Sequence, residues 1–280
     1  MKYTLLILLG ILALYSCKKS NSDNVQRSVS LKTIVVYNPT AATYRTLNIQ
    51  TFDYGSDGRL LSYTDKAIDS IVSGGVAGVS YETRIFAFSY SGSTNLPDSY
   101  SLTDSNYNSS ASNLMVLHEK AGFVYDAQNR LTANTFDIPN STSSLYAYSG
   151  DTVLFMEKIP GSPLPIHGLP LMIIENGNLA RSYGKIYTYS SVPNPLQNTA
   201  IARTYAPIFY GGLIGISPSY GLPVDFISRG LPSSLNDGQG NIARFNWTTD
   251  SKGRVIQGTA TNLYPFDPGL NGTVYITFNY

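Results

Sequence analysis

Cysteine is almost missing from this 280-residue chain: Cys17 is the only one. A single thiol cannot close an intramolecular disulfide, so the fold must be held by its core, which about 250 residues can supply. Histidine is nearly as scarce. His118 and His167, without a second cysteine, argue against a His/Cys zinc site. No Asp-rich loop of the EF-hand type signals calcium. Charge is thin as well, at 13% of residues, with 19 Lys and Arg against 18 Asp and Glu. That balance excludes strong steering toward nucleic acid or acidic membrane. Nucleophile elbow, P-loop, dinucleotide fingerprint and His-Glu-x-x-His helix are all absent. Gly74-Gly75-Val76-Ala77-Gly78 has too few glycines at the right spacing for a phosphate cradle and reads as a loop. After residue 16 no 3.6-residue apolar period is sustained, so amphipathic helices are not expected.

The amino terminus is the first informative presence. Lys2 starts a short cationic region, Leu5 to Tyr15 is apolar but too short to span a bilayer, and small Ser16 precedes Cys17. That is the anatomy of a cleaved secretory signal over residues 1–16, not of a transmembrane helix. Leu14-Tyr15-Ser16-Cys17 also resembles the lipobox of bacterial lipoproteins, in which cleavage falls before the cysteine and the cysteine is acylated. Tyr15 departs from the small or aliphatic residue usual there. The resemblance implies lipid attachment at Cys17 and an outer-membrane lipoprotein whose face is open, since Asp23 is the only acidic residue in the stretch 17–30 that follows the cleavage point. Cleavage removes Lys2 and leaves a neutral mature chain. Lys18 and Lys19 form a small basic cluster, but acyl chains dominate attachment at about 0.8 kcal/mol per buried methylene. Residues 17–30 read as anchor and polar tether, and residues 31–280 as one domain.

Within that domain an aromatic-x-aromatic tripeptide recurs: Phe52-Asp53-Tyr54, Phe88-Ser89-Tyr90, Phe123-Val124-Tyr125, Tyr146-Ala147-Tyr148, Tyr187-Thr188-Tyr189, Phe245-Asn246-Trp247 and Phe278-Asn279-Tyr280. Residues i and i+2 share one face of a strand, so each copy sets two rings side by side. The rings are expected to pack inward as core. The alternative is an outward strip for stacking on sugars or peptides. Three copies run on into a turn and an arginine: Gly55 to Arg59, Asp126 to Arg130, and Thr248 to Arg254. Gly58, Asn129 and Gly253 fall where a tight hairpin needs positive φ. The arginine after each is expected to reach a carboxylate or a ring face. The pattern predicts an all-β antiparallel meander of hairpins, forming a large curved sheet or an open barrel-like shell. The last aromatic pair ends at Tyr280, as a strand closing or edging that sheet would. Residues 161–235, richer in Pro and Gly, read as strands joined by long loops, with room for one short helix.

These residues resemble the Tyr-Asp hairpin repeats of secreted bacterial proteins. The layout as a whole resembles Bacteroidetes-type envelope lipoproteins with an uncharacterised porin-like domain: a lipoprotein signal, Tyr-Asp hairpins, Asn194-Pro195, Ser228 to Pro232, and a final aromatic hairpin. The sequence departs at Trp247-Thr248-Thr249-Asp250, which replaces the compact Tyr-Asp pair. No activity or catalytic residue comes with the resemblance. His118 or His167 as general base, and Asp137, Glu157, Glu175 or Asp225 as glycosidase carboxylates, are available without being marked out. Asp69-Ser70-Ile71 and Asp151-Thr152-Val153 resemble O-glycosylation acceptors of such envelopes and suggest surface loops. The resulting expectation is a non-catalytic binding or structural envelope lipoprotein without cofactor, whose partners are the membrane and a glycan or another envelope protein. A glycan-active or glycan-binding accessory protein and a carrier of a lipid or small hydrophobe stay open.

Overall fold

Side-chain alternation decides how this chain closes. In the computed structural model, Ile34 and Val36 turn one way from a short strand, as do Val274, Ile276 and Phe278 from the last one, and all five are buried. The two strands pair antiparallel, Ile34 opposite Phe278 and Val36 opposite Ile276. The structure describes residues 30–37, 46–73, 76–108, 113–136, 143–158, 166–182, 185–197, 228–236, 238, 240–262 and 272–280. The chain divides into Met1–Ser30 and the compact unit Leu31–Tyr280. The expected signal, the expected acylation site Cys17 and most of the tether lie outside the described residues.

The described strands are β1 (Thr33–Tyr37), β2 (Thr46–Tyr54), β3 (Leu60–Ser73), β4 (Val76–Ser89), β5 (Ser99–Asn108), β6 (Asn113–Tyr125), β7 (Leu131–Phe136), β8 (Ser143–Ser149), β9 (Thr152–Lys158), β10 (Ile166–Glu175), β11 (Asn178–Ser182), β12 (Lys185–Pro193), β13 (Gly230–Asn236), β14 (Ile242–Thr249), β15 (Val255–Thr261) and β16 (Val274–Asn279). Each pairs antiparallel with its sequence neighbours, and β1 closes the ring by pairing with both β2 and β16. The predicted meander is therefore a closed barrel, not an open shell. Closure removes the two edges an open sheet would leave.

Residues 161–235 contribute β10 to β13, and no helix occurs among their described residues. Pro170 sits at an irregularity: the register of β10 against β9 shifts on both sides of it. A proline lacks the N–H a regular ladder needs, so a bulge accommodates it. Two loop expectations are corrected. Asp69-Ser70-Ile71 lies inside β3, with Ser70 opposite Val79, and Val76 to Gly78 belong to β4. Gly74 and Gly75, between the two strands, lie outside the described residues.

The three Asp/Arg turns share one construction. Gly58, Asn129 and Gly253 have φ of 82°, 60° and 76°. A bulge follows each, so that Tyr54 faces Leu60, Tyr125 faces Leu131 and Thr249 faces Val255. In the second and third turns, Asp126 and Asp250 each accept from two turn N–H groups and from the arginine Nε, at 2.7–2.9 Å. These bonds hold both carboxylates below their ordinary pKa. The first turn places glycine at that position. Asp57, two residues later, binds Arg59 instead.

Candidate functional site

Each turn arginine also lies over a tyrosine within one residue of the end of a later strand: Arg59 over Tyr90 at 5.0 Å, Arg130 over Tyr148 at 4.3 Å, Arg254 over Tyr280 at 4.8 Å. Tyr90 and Tyr148 donate their hydroxyls to the carbonyls of Leu60 and Leu131, at 2.7 and 2.8 Å. Turn, arginine and tyrosine thus lock successive hairpins together at one end of the barrel. Burial removes water from these rings and pushes Tyr54, Tyr90 and Tyr148 up to about 12. The sign follows directly. A phenol kept neutral by the fold contributes stability in full below about 10, and that stability is lost as pH rises through about 12. Ultraviolet titration should therefore resolve a late-ionising tyrosine group, with unfolding by base in the same range. A single transition of all tyrosines near 10 on a still-folded chain would contradict this packing.

Below that end the inward positions are apolar. Phe52, Phe88, Phe123, Tyr146, Phe245 and Phe278, the leading rings of six pairs, are buried, with the trailing rings packed partly buried against the same core. The inward expectation for the pairs holds. The outward stacking strip does not, because each ring stands on the face that alternation assigns to Ile34 and Val36.

One step further along the strands the inward face changes character. Gln50, Asp65, Arg84 and Asp104 are directly opposite one another on β2 to β5. Asn48 donates from Nδ2 to Asp65 Oδ1 at 2.6 Å. Arg84 pairs with Glu82 and, at 3.3 Å, with Asp104. On β6, Glu119 accepts the Tyr100 hydroxyl at 2.7 Å. Burial raises the Asp65 and Glu119 carboxyls, against the hydrogen bonds from Asn48 and Tyr100. Asn48 Oδ1, Gln50 Oε1 and Asp104 Oδ1 are buried acceptors with no hydrogen-bond partner among the described residues. The layer can accept donors such as water, hydroxyl or amine. No group of three metal-ligating side chains occurs among the described residues.

This layer is what sequence reasoning missed. The signal was present in the alternation: Gln50, Asp65, Arg84, Asp104 and Glu119 each stand two residues from a buried apolar residue, at Phe52, Tyr63, Phe86, Leu102 and Ala121. Period two places them inward.

Of the candidate histidines and carboxylates, the described ones, His118 and Glu175, do not come together in a site. His118 is exposed on the outer wall, its Nδ1 3.2 Å from Thr103 Oγ1, while its neighbour Glu119 faces inward. Glu175 is exposed at the end of β10. His167 and Glu157 are in β10 and β9 with side chains outside the described residues, as are Asp137 and Asp225 entirely. Asp151 is exposed in a turn, yet Val153 of the same triplet is buried. A groove of about 500 Å³ also runs across the outer wall, lined by Ser89, Ser99, Ser101, Lys120, Gly122 and Thr135. Gly122 keeps its floor open, since a Cβ there would meet Thr135 Oγ1 at 3.1 Å.

No family model matches the chain, and no curated protein matches it. Among solved structures it is similar to the crystal structure of a porin-like protein from Bacteroides uniformis, with 14% identity and a TM-score of 0.37. The match covers 89% of this chain and 97% of that one. The barrel described above rests on its own strand pairing and not on this likeness.

Proposed function

We propose that the mature chain is a lipoprotein held at the outer membrane through Cys17, and that it binds or scaffolds without catalysing. The observation that carries the reading is the fate of the recurring residues. The rings fill the barrel and the Asp/Arg pairs close turns, so the repeat builds a rigid body and leaves no reactive pair behind. The outer wall supports peripheral attachment. Exposed Asp53, Lys66, Lys120, Arg244, Gln257 and Asn279 suit water and not a lipid-facing band. A hydrophobe carrier draws no support here, because packed rings occupy the apolar inward face. The hydroxyl-lined groove beside Lys120 favours a second reading, contact with a glycan, made by hydrogen bonds without an aromatic platform.

A clickable fatty acid fed to expressing cells should label the unmodified protein and not Cys17→Ser. Equal labelling of both would refute the anchor. A soluble form beginning at Ser20 should show binding and no turnover across a glycan and polysaccharide panel. Reproducible hydrolysis abolished by one carboxylate substitution would overturn the non-catalytic reading.

A further inference from the structure

β6 is longer than the wall it belongs to. Its ladder with β5 runs from Asn113 to Gly122, whereas β7 pairs only with Ala121 to Tyr125. Asn113 to Lys120 therefore has no strand on its second side among the described residues. The same segment carries Leu114, Met115, Val116 and Leu117, between 51% and 74% exposed. Leu114 and Val116 point to the outer face, beside the Tyr81–Tyr107 ring pair, and Met115 and Leu117 to the other. No charged residue interrupts the stretch from Ser105 to Leu117. Edge strands are ordinarily protected by a lysine, a proline, an inward charge or a cover; among the described residues these four have no cover, and the inward charge of Glu119 and the lysine Lys120 stand only at the end of the segment.

We propose that this edge is an interface with a second copy of the chain, formed by antiparallel pairing of β6 with itself. Two features select a strand as the occupant. The open row of backbone N–H and C=O groups needs partners that lipid cannot supply, which rules against burial in a bilayer. Apolar side chains on both faces need cover on both faces, which an added strand with its own alternating residues provides and a one-sided surface does not. The segment is also self-complementary. A twofold axis at Val116 sets Val116 against Val116, Met115 against Leu117, Leu114 against His118 and Asn113 against Glu119. Apolar meets apolar at the centre, no like charges are opposed, and inward and outward faces stay matched.

The barrel closes within Leu31–Tyr280, so the soluble form from Ser20 is the folded unit, and it contains no cysteine. Val116→Cys then introduces the only thiol. Opposite Cα atoms in an antiparallel pair stand about 4.5–5.5 Å apart, within disulfide reach. Oxidation with copper phenanthroline should link two Val116→Cys chains. It should not link Tyr275→Cys, which is exposed on β16 between two partner strands. Sedimentation equilibrium should find a dimer, with Met115→Lys/Leu117→Lys raising its dissociation constant about a hundredfold. Far-ultraviolet circular dichroism of that variant should be unchanged. A monomer at about 100 μM, a dimer indifferent to both lysines, or flotation of the monomer with phosphatidylcholine vesicles would each overturn the proposal.

Discussion

Phe86→Ala should lower the unfolding free energy by about 3–5 kcal/mol, and Ile85→Ala, one residue away, by no more than about 0.5 kcal/mol. The two side chains leave β4 on opposite faces. Phe86 is 1% exposed and Ile85 41%. Phe86 is also the middle ring of a row crossing five strands: Phe52 to Tyr63 at 5.3 Å, Tyr63 to Phe86 at 5.8 Å, Phe86 to Tyr100 at 5.7 Å and Tyr100 to Phe123 at 5.5 Å. Tilted rings at such separations add electrostatic attraction to the buried area, so truncation removes two ring contacts along with the transfer term. Collapse into the gap is resisted. Tyr100 is tied to Glu119 on one side, and the strands on both sides are held in a continuous ladder. In a chain of this length the loss corresponds to about 10 °C in the melting midpoint. Denaturant titration of both variants decides the matter. Equal destabilisation, or a larger effect at Ile85, would mean that the inward and outward faces of β4 are exchanged.

That contrast also explains how far the sequence could be read. Period-two alternation and the aromatic pairs specify strands, their inward face and the hairpin turns, because all of these depend on residues within ten positions of one another. Gly58, Asn129 and Gly253 announce their own backbone angles. Closure was not legible, since it depends on Ile34 meeting Phe278 across almost the whole chain, and an apolar strand reads the same at an edge as in a seam. The polar layer was legible in principle. Arg84 and Asp104 sit on opposite strands at inward positions, but nothing local separates a buried ion pair from two solvated charges until the register is known. The first turn shows the same limit on a smaller scale: Asp57 takes over the arginine from a position the other two turns do not use.

The departure at Trp247 has a register explanation, and it yields the last expected result. Trp247 lies directly opposite Gly258, and its indole covers the place where a Cβ would be. The ring stacks on Phe245 at 6.1 Å, meets Phe278 edge-on at 6.1 Å and donates from Nε1 to the Pro232 carbonyl at 2.6 Å. A bulky ring is thus admitted where tyrosine stands in the other repeats because its cross-strand partner has no side chain. Gly258→Ala should displace the indole, break the bond to Pro232 and destabilise the barrel by about 2–4 kcal/mol, overpacking and the lost hydrogen bond together. Trp247 is the chain's only tryptophan, so its emission reports the displacement directly. A red shift is expected in the folded variant, as the half-buried ring moves toward water. Trp247→Phe should be costly alone yet relieve Gly258→Ala, because the smaller ring leaves room for the methyl group. The double variant should then be more stable than the sum of the two single losses by at least about 1 kcal/mol. Strict additivity of the two substitutions, or an unshifted emission maximum in Gly258→Ala, would show that the indole does not rest on Gly258.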